Sequence, residues 1–219
     1  LGTGSTDGMR VVNCVIGDTT NRFRYGVVSS PDSGAGNYVI SKNQIYAGCP
    51  VKFQGGGSNT IVEGNYLKEY SGNYTGTSSG IGAAYGALLV EPKDGNTVSG
   101  LVISNNNIDA ENAGIVLTGQ VGSTSLGHTV SGNSVYCRSS VITHWAQSTG
   151  ITLGGGDSES VQVGSSCSGN TVHGAWEVGI HCSQDGANIS ANTLKGVAEC
   201  AIRVRGTQSG TAPNWTYRI

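Results

Sequence analysis

The chain has 219 residues, of which 12% are charged and 37% hydrophobic, with a formal net charge of −2, 36 glycines and only 4 prolines. This balance excludes a basic nucleic-acid footprint and a Lys/Arg cluster for anionic lipid, and no apolar run reaches the ~18–20 residues of a membrane-spanning helix. Low net charge with plentiful β-branched residues argues against disorder, and a length sufficient for one sizeable core, with nothing that breaks the repeat described below, argues for one domain spanning 1–219.

Taken in chain order, one phrase recurs: an apolar residue, two small or polar residues, Asn, any residue, then an apolar residue. A degraded copy surrounds Asn13. Full copies follow at Ile40–Ile45 around Asn43, Val62–Leu67 around Asn65, and Ile103–Ile108 around Asn106. Three more stand at Val130–Val135 around Asn133, Cys167–Val172 around Asn170, and Ile189–Leu194 around Asn192. Self-similarity at a few tens of residues marks a stacked, quasi-one-dimensional fold. Stacked Asn side chains can hydrogen-bond along the stack, and Asn tolerates left-handed backbone, so these residues read as scaffold.

A second phrase follows each Asn, anchored on Val27, Val51, Leu88, Ile115, Ile151, Ile180 and Ile202. The preceding column is Gly26, Pro50, Ala87, Gly114, Gly150, Gly179 and Ala201, which suggests a tight bend where neighbouring backbone approaches closely. Two residues past each anchor the column is almost entirely apolar: Ser29, Phe53, Val90, Leu117, Leu153, Cys182 and Val204. The residues between them are mixed, from Lys52 and Leu89 to His181 and Arg203. That period of two predicts strands with an inward and an outward face. Outward Leu89 and Val116 are candidates for an apolar contact, and outward His181 and Arg203 for a second polar face or an oligomer contact.

The six cysteines show no zinc spacing. Cys49, Cys182 and Cys200 fall on inward positions and Cys167 takes the apolar place before an Asn, where a free thiol serves as a small hydrophobe. Cys14 and Cys137 sit in other registers. Free thiols fit assembly in a reducing compartment better than a disulfide-stapled domain.

These columns resemble the right-handed parallel β-helix proteins of the pectate-lyase-like superfamily, whose coils carry aliphatic stacks and an Asn ladder. The resemblance implies an all-β, single-domain right-handed parallel β-helix of about seven coils. The calcium-binding acidic cluster and basic pair of pectate lyases are missing, as are the Asp-Pro-His-Glu stretch of mannuronan epimerases and the calcium repeat of RTX proteins. Gly/Ser/Thr/Asn-rich loops and low charge are most similar to a bacteriophage tailspike or tail-fibre receptor-binding domain. Leu1 in place of Met, and an uncapped end at Tyr217-Arg218-Ile219, set the expectation of a fragment of a longer chain.

Function in a solenoid sits where coils carry insertions. From each Asn to the next anchor the intervals are 14, 8, 23, 9, 18, 10 and 10 residues. The long loops, 66–86 and 134–149, would flank a short coil, with walls roughly 10 Å apart. The first wall carries Lys68, Glu69, Tyr70, Tyr74 and Tyr85, and the second Tyr136, Arg138, His144 and Trp145. The floor offers Asp109 and Glu111, and the next coil His173, Trp176 and Glu177. Aromatic faces stack on sugar rings and charged groups take their hydroxyls. Asp109, Glu111 and Glu69 could supply the carboxyl pair of a glycosidase, with Tyr70, Tyr74, Trp145, His144, Arg138 and Trp176 as substrate contacts. A lyase would instead use His144 or a tyrosine as base beside Arg138 or Lys68. Bland readings stand beside these: Tyr66 and Trp145 as loop anchors, Asp109 and Glu111 as solvated turn residues, His144 as an ordinary loop residue.

The resemblance implies a homotrimer of the virion tail that recognises, and could depolymerise, bacterial capsule or O-antigen polysaccharide. A free-standing secreted polysaccharide lyase and a non-catalytic β-helical stalk or cell-surface adhesin are the alternatives. No metal, cofactor, nucleic acid or membrane insertion is expected.

Overall fold

The computed structural model describes residues 7–20, 23–29, 36–70, 86–93, 95–138, 149–156 and 160–205. Among them there is no helix, and every strand pairing is parallel. A seven-stranded sheet runs Arg10–Val12, Val39–Ser41, Ile61–Glu63, Val102–Ser104, Thr129–Ser131, Ser166–Ser168, Asn188–Ser190. A three-stranded sheet joins Thr97–Ser99, Thr124–Leu126 and Val161–Val163.

The largest sheet has two arms that meet in Gln44–Phe53. The first part of that strand pairs with Tyr66–Glu69, and that arm continues through Asn107–Ala110, Ser134–Cys137, Thr171–Gly174 and Thr193–Lys195. The last part pairs with Leu88–Val90, leading to Ala113–Gly119, Thr149–Gly156, Val178–Cys182 and Cys200–Val204. Each strand thus pairs with its counterpart in the next coil. This is the arrangement of a parallel β-solenoid.

Alternation places the apolar columns inside. Ile40, Val62, Ile103, Val130 and Cys167 face Ile45, Leu67, Ile108, Val135 and Val172, with Val51, Leu88, Ile115, Ile151 and Ile180 closing the core. All are fully buried, and each large aliphatic side chain stabilises the fold by about 1.5–3 kcal/mol through area removed from water. Among the described residues no strand pairs beyond Cys200–Val204, and Ile202 and Val204 are exposed.

The ladder runs Asn43, Asn65, Asn106, Asn133, Asn170, Asn192. Each Nδ2 donates to the next Asn Oδ1 at 2.9 Å, while the backbone N–H of the same residue donates to that oxygen at 2.9–3.0 Å. The other Nδ2 hydrogen reaches a carbonyl of the previous coil, as from Asn106 to Val62 O at 2.9 Å. Donors and acceptors are satisfied away from water, which makes buried Asn tolerable.

Two expectations about this phrase need correction. The left-handed residues are not the ladder asparagines but those just before them: Asn13, Lys42, Gly64, Asn105, Gly132, Gly169 and Ala191 all have φ between 53° and 66°. Asn13 therefore aligns with Lys42, and Cys14 occupies the ladder column, its N–H donating to Asn43 Oδ1 at 2.9 Å. The ladder begins on a residue with no amide to extend it.

The small column is a close approach within strands, not a bend. A Cβ on Gly114 would collide with Gly150 O and the Val135 side chain, and one on Gly150 with Val172 and Gly179 O. All six cysteines are free. Cys137 shares the corner position of Ala110 and Gly174, while burial pushes the Cys49 and Cys167 thiols up to about 12. Cys49 lies apart from the main core, in a second cluster with Leu89, Ala113, Val116 and Tyr25. Leu89 and Val116 are therefore buried within the chain, and the expectation that they offer an exposed apolar contact is overturned.

Candidate functional site

On the first arm of the large sheet, the third residue after each ladder Asn points outward. Strand register stacks these residues into one column: Tyr46, Lys68, Asp109, Tyr136, His173 and Lys195. At a parallel spacing of ~4.8 Å per coil, the column runs some 24 Å along the stack. Tyr66, Tyr70, Glu111 and Arg138 stand beside it.

The column is held by charge and ring contacts. Tyr46 and Tyr66 meet edge to face with centroids 5.9 Å apart. Tyr66 donates its hydroxyl to Asp109 Oδ2 at 3.4 Å, and burial followed by the Asp109 charge pushes that hydroxyl pKa up, keeping it a donor. Lys68 Nζ lies 3.5 Å from Asp109 Oδ2. Tyr136 and His173 stack with centroids 4.8 Å apart and planes at 28°, and Tyr136 remains 41% exposed.

Arg138 organises the centre. Its Nε and Nη2 donate to Glu111 Oε1 at 3.2 and 2.7 Å. Its Nη1 lies 2.8 Å from Asp109 Oδ1, close enough for an ion pair but off the line of a hydrogen bond. Nη2 also donates to the Glu69 carbonyl. The guanidinium sits 5.0 Å from the Tyr70 ring centroid, and Lys68 Nζ 5.5 Å from it.

The expected site residues separate into three groups. Asp109, Glu111, Tyr70 and Arg138 come together on this face. Glu69 and Trp176 do not reach it. Glu69 is fully buried, its carboxylate accepting N–H groups of Glu111 and Asn112 at 2.9 Å and the Asn112 amide at 2.8 Å. Trp176 is fully buried in the hydrophobic core and has no surface to offer a sugar, which corrects its expected role in substrate contact. Tyr74, His144 and Trp145 lie outside the described residues.

Asp109 and Glu111 share one guanidinium, so their bound oxygens lie within about 8 Å of each other, a bound that admits the spacing of a retaining as well as an inverting carboxyl pair. Neither can take or give a proton at a glycosidic oxygen without loosening its hold on Arg138, however. Glu69 is the carboxyl that burial most favours in its protonated form, its pKa pushed up to about 7, and it is sealed from solvent. Among the described residues no group of three or more His, Cys, Asp or Glu is placed to hold a metal ion.

His181 and Arg203 pair in register on the other arm. Arg203 Nη2 lies 2.8 Å from Glu199 Oε1 and 3.9 Å from Glu177 Oε1, while burial and then Arg205 and Arg203 push the His181 pKa down. This polar group is separate from the Arg138 face.

Tyr46 and Lys195 were not among the expected residues, although counting three positions past each ladder Asn finds both. No protein-family model, curated protein or solved structure matches this chain.

Proposed function

We propose that this chain is a tailspike-like receptor-binding protein that recognises bacterial capsule or O-antigen polysaccharide on its Tyr46–Lys195 face. In this reading it is a single-domain, right-handed β-helix of about seven coils, akin to the pectate-lyase-like superfamily, and works as a homotrimer of the virion tail. The observation that carries the reading is the outward column itself. A ring at Tyr46, the charged pair Lys68 and Asp109, the stacked rings of Tyr136 and His173, and Lys195 follow one another at one residue per coil. Rings supply stacking faces, while Lys68, Asp109, Glu111 and Arg138 supply donors and acceptors whose positions are set before a ligand arrives.

Binding is favoured over hydrolysis because Arg138 engages both candidate carboxylates and Glu69 is buried. The test retains the purified chain on immobilised capsular or O-antigen polysaccharide and sizes the polysaccharide before and after incubation. Retention with unchanged polymer length is expected. Shortened polymer would establish a depolymerase instead, an unsaturated uronic product would mark a lyase, and no retention on any glycan would favour a stalk.

A further inference from the structure

Glu69 lies beneath the face rather than on it, yet it is tied to the centre of that face twice. Its side chain holds the turn that carries Glu111: Oε2 accepts the N–H groups of Glu111 and Asn112, and Oε1 accepts the Asn112 amide. Its backbone carbonyl accepts Arg138 Nη2, and Glu111 accepts the same guanidinium. Among the described residues, the charged and titratable groups set against it are Glu111 from the turn after Asn107–Ala110, Cys49 from Gln44–Phe53, and Arg138 after Ser134–Cys137.

Three N–H donors converge on this carboxylate and none of the three bonds can be reversed. Ionised, Glu69 satisfies all of them. Protonated, it keeps the three donors only by placing the proton on the one site they leave on Oε1, and the neutral carboxyl then accepts all three more weakly than the carboxylate did.

We propose that Glu69 is a positioning residue that makes the binding face pH-responsive: ionised, it fixes the Glu111–Asn112 turn and through it Arg138, and protonated, it loosens its hold on them and weakens glycan binding. The consequence for glycan affinity rests on the function proposed above, whereas the coupling from Glu69 to Arg138 stands without it. Burial pushes Glu69 up to about 7, opposed by its bonds to Asn112 and Glu111, so the transition falls near neutrality.

The test follows the amide N–H signals of Glu111 and Asn112 and the Arg138 Nε–H by NMR from about pH 5 to about pH 9, a span that brackets the buried carboxyl. All three should titrate together with a midpoint near 7. Glu69→Gln should abolish the common titration while the ladder amide signals persist. Asn112→Ala, which removes one bond to the ionised form, should move the midpoint upward, and it carries the test if Glu69→Gln does not fold. An Arg138 signal that stays flat while the two amides move would overturn the proposal, as would a common titration that survives in Glu69→Gln.

In the binding arm, affinity for capsular or O-antigen polysaccharide should be about fivefold or more higher at pH 8 than at pH 6. Equal affinity at both pH values would overturn the functional half. Absence of any binding alongside the expected NMR coupling would sink the glycan reading and support the switch.

Discussion

Arg138 grips Glu111 from the neighbouring coil through two nitrogens, Nε at 3.2 Å and Nη2 at 2.7 Å from one carboxylate oxygen. Both side chains are partly buried, and the same guanidinium lies against Asp109 and over Tyr70. Replacing Arg138 by Met keeps much of the stem packing but leaves two carboxylates side by side with no cation between them. Arg138→Met is expected to lower stability by about 1–2 kcal/mol in urea melts and to reduce polysaccharide affinity at least about tenfold. Lysine should rescue only part of the affinity, since it lacks the forked geometry.

The ladder makes a sharper stability prediction. Asn106→Ala removes the Oδ1 that accepts both the Asn65 N–H and the Asn65 Nδ2, stranding buried donors. Chemical denaturation should show a loss of about 3 kcal/mol or more. Asn192→Ala, at the end of the ladder, should cost less.

Close packing of backbone predicts intolerance of even one methyl group. Gly150→Ala would press a Cβ into Val172 and the Gly179 carbonyl. Thermal unfolding should shift downward, corresponding to about 1–3 kcal/mol, although alanine is a small residue with no polar group. Ala87→Gly, in the same column of the Leu88 coil, should be far milder.

Two buried groups oppose each other in the pH dependence of stability. His128 is held neutral, its Nδ1 accepting the Leu101 N–H at 3.2 Å while Nε2 meets Ser125 Oγ at 2.9 Å. Burial pushes it from 6.5 down to about 4. The native state therefore binds fewer protons than the unfolded chain below pH 6.5, and the stabilisation falls as pH drops toward 4, by about 3 kcal/mol in all.

Glu69, raised from 4.5 to about 7, has the reverse sign: its contribution is complete below 4.5 and is lost as pH rises through 7. Between about pH 4.5 and 6.5 the two slopes offset. Glu69→Gln should expose a stability that rises with pH across this window, and His128→Gln one that falls, both read from urea melts across the pH series.

Thiol chemistry should follow burial. Cys49, Cys137, Cys167 and Cys182 are buried and Cys14 is exposed. In the native protein an alkylating reagent at neutral pH should modify Cys14 rapidly and the four buried thiols only after denaturant is added, as counted by mass spectrometry.

The inward columns were legible because burial repeats them: Val, Ile and Leu recur wherever the strand turns its face to the core. Ladder asparagines were legible for the same reason, with one register error at Asn13. There the recurring Asn letter masked the physical equivalence of Asn13 with Lys42 and Gly64, which share a left-handed backbone rather than a side chain. Outward positions are under no packing demand, so their types vary. Lys68, Asp109 and Tyr136 look unrelated until strand register stacks them.

Trp176 and Glu69 misled for a physical reason. An aromatic ring or carboxylate near a long connection reads as accessible, yet Glu69, in register with buried Ala47, and Trp176 both lie fully buried. Leu89 and Val116 show the converse, outward residues buried in a second cluster.

The central claim is that the outward column beginning at Tyr46 is the glycan-binding face. Isothermal titration of the intact chain with a bound capsular or O-antigen polysaccharide tests it most directly, comparing Tyr136→Ala with Glu63→Ala, an exposed change on the seven-stranded sheet. The face predicts a loss of at least about tenfold for Tyr136→Ala, equivalent to about 1.4 kcal/mol, with Glu63→Ala unchanged. Equal affinity in both variants would contradict it.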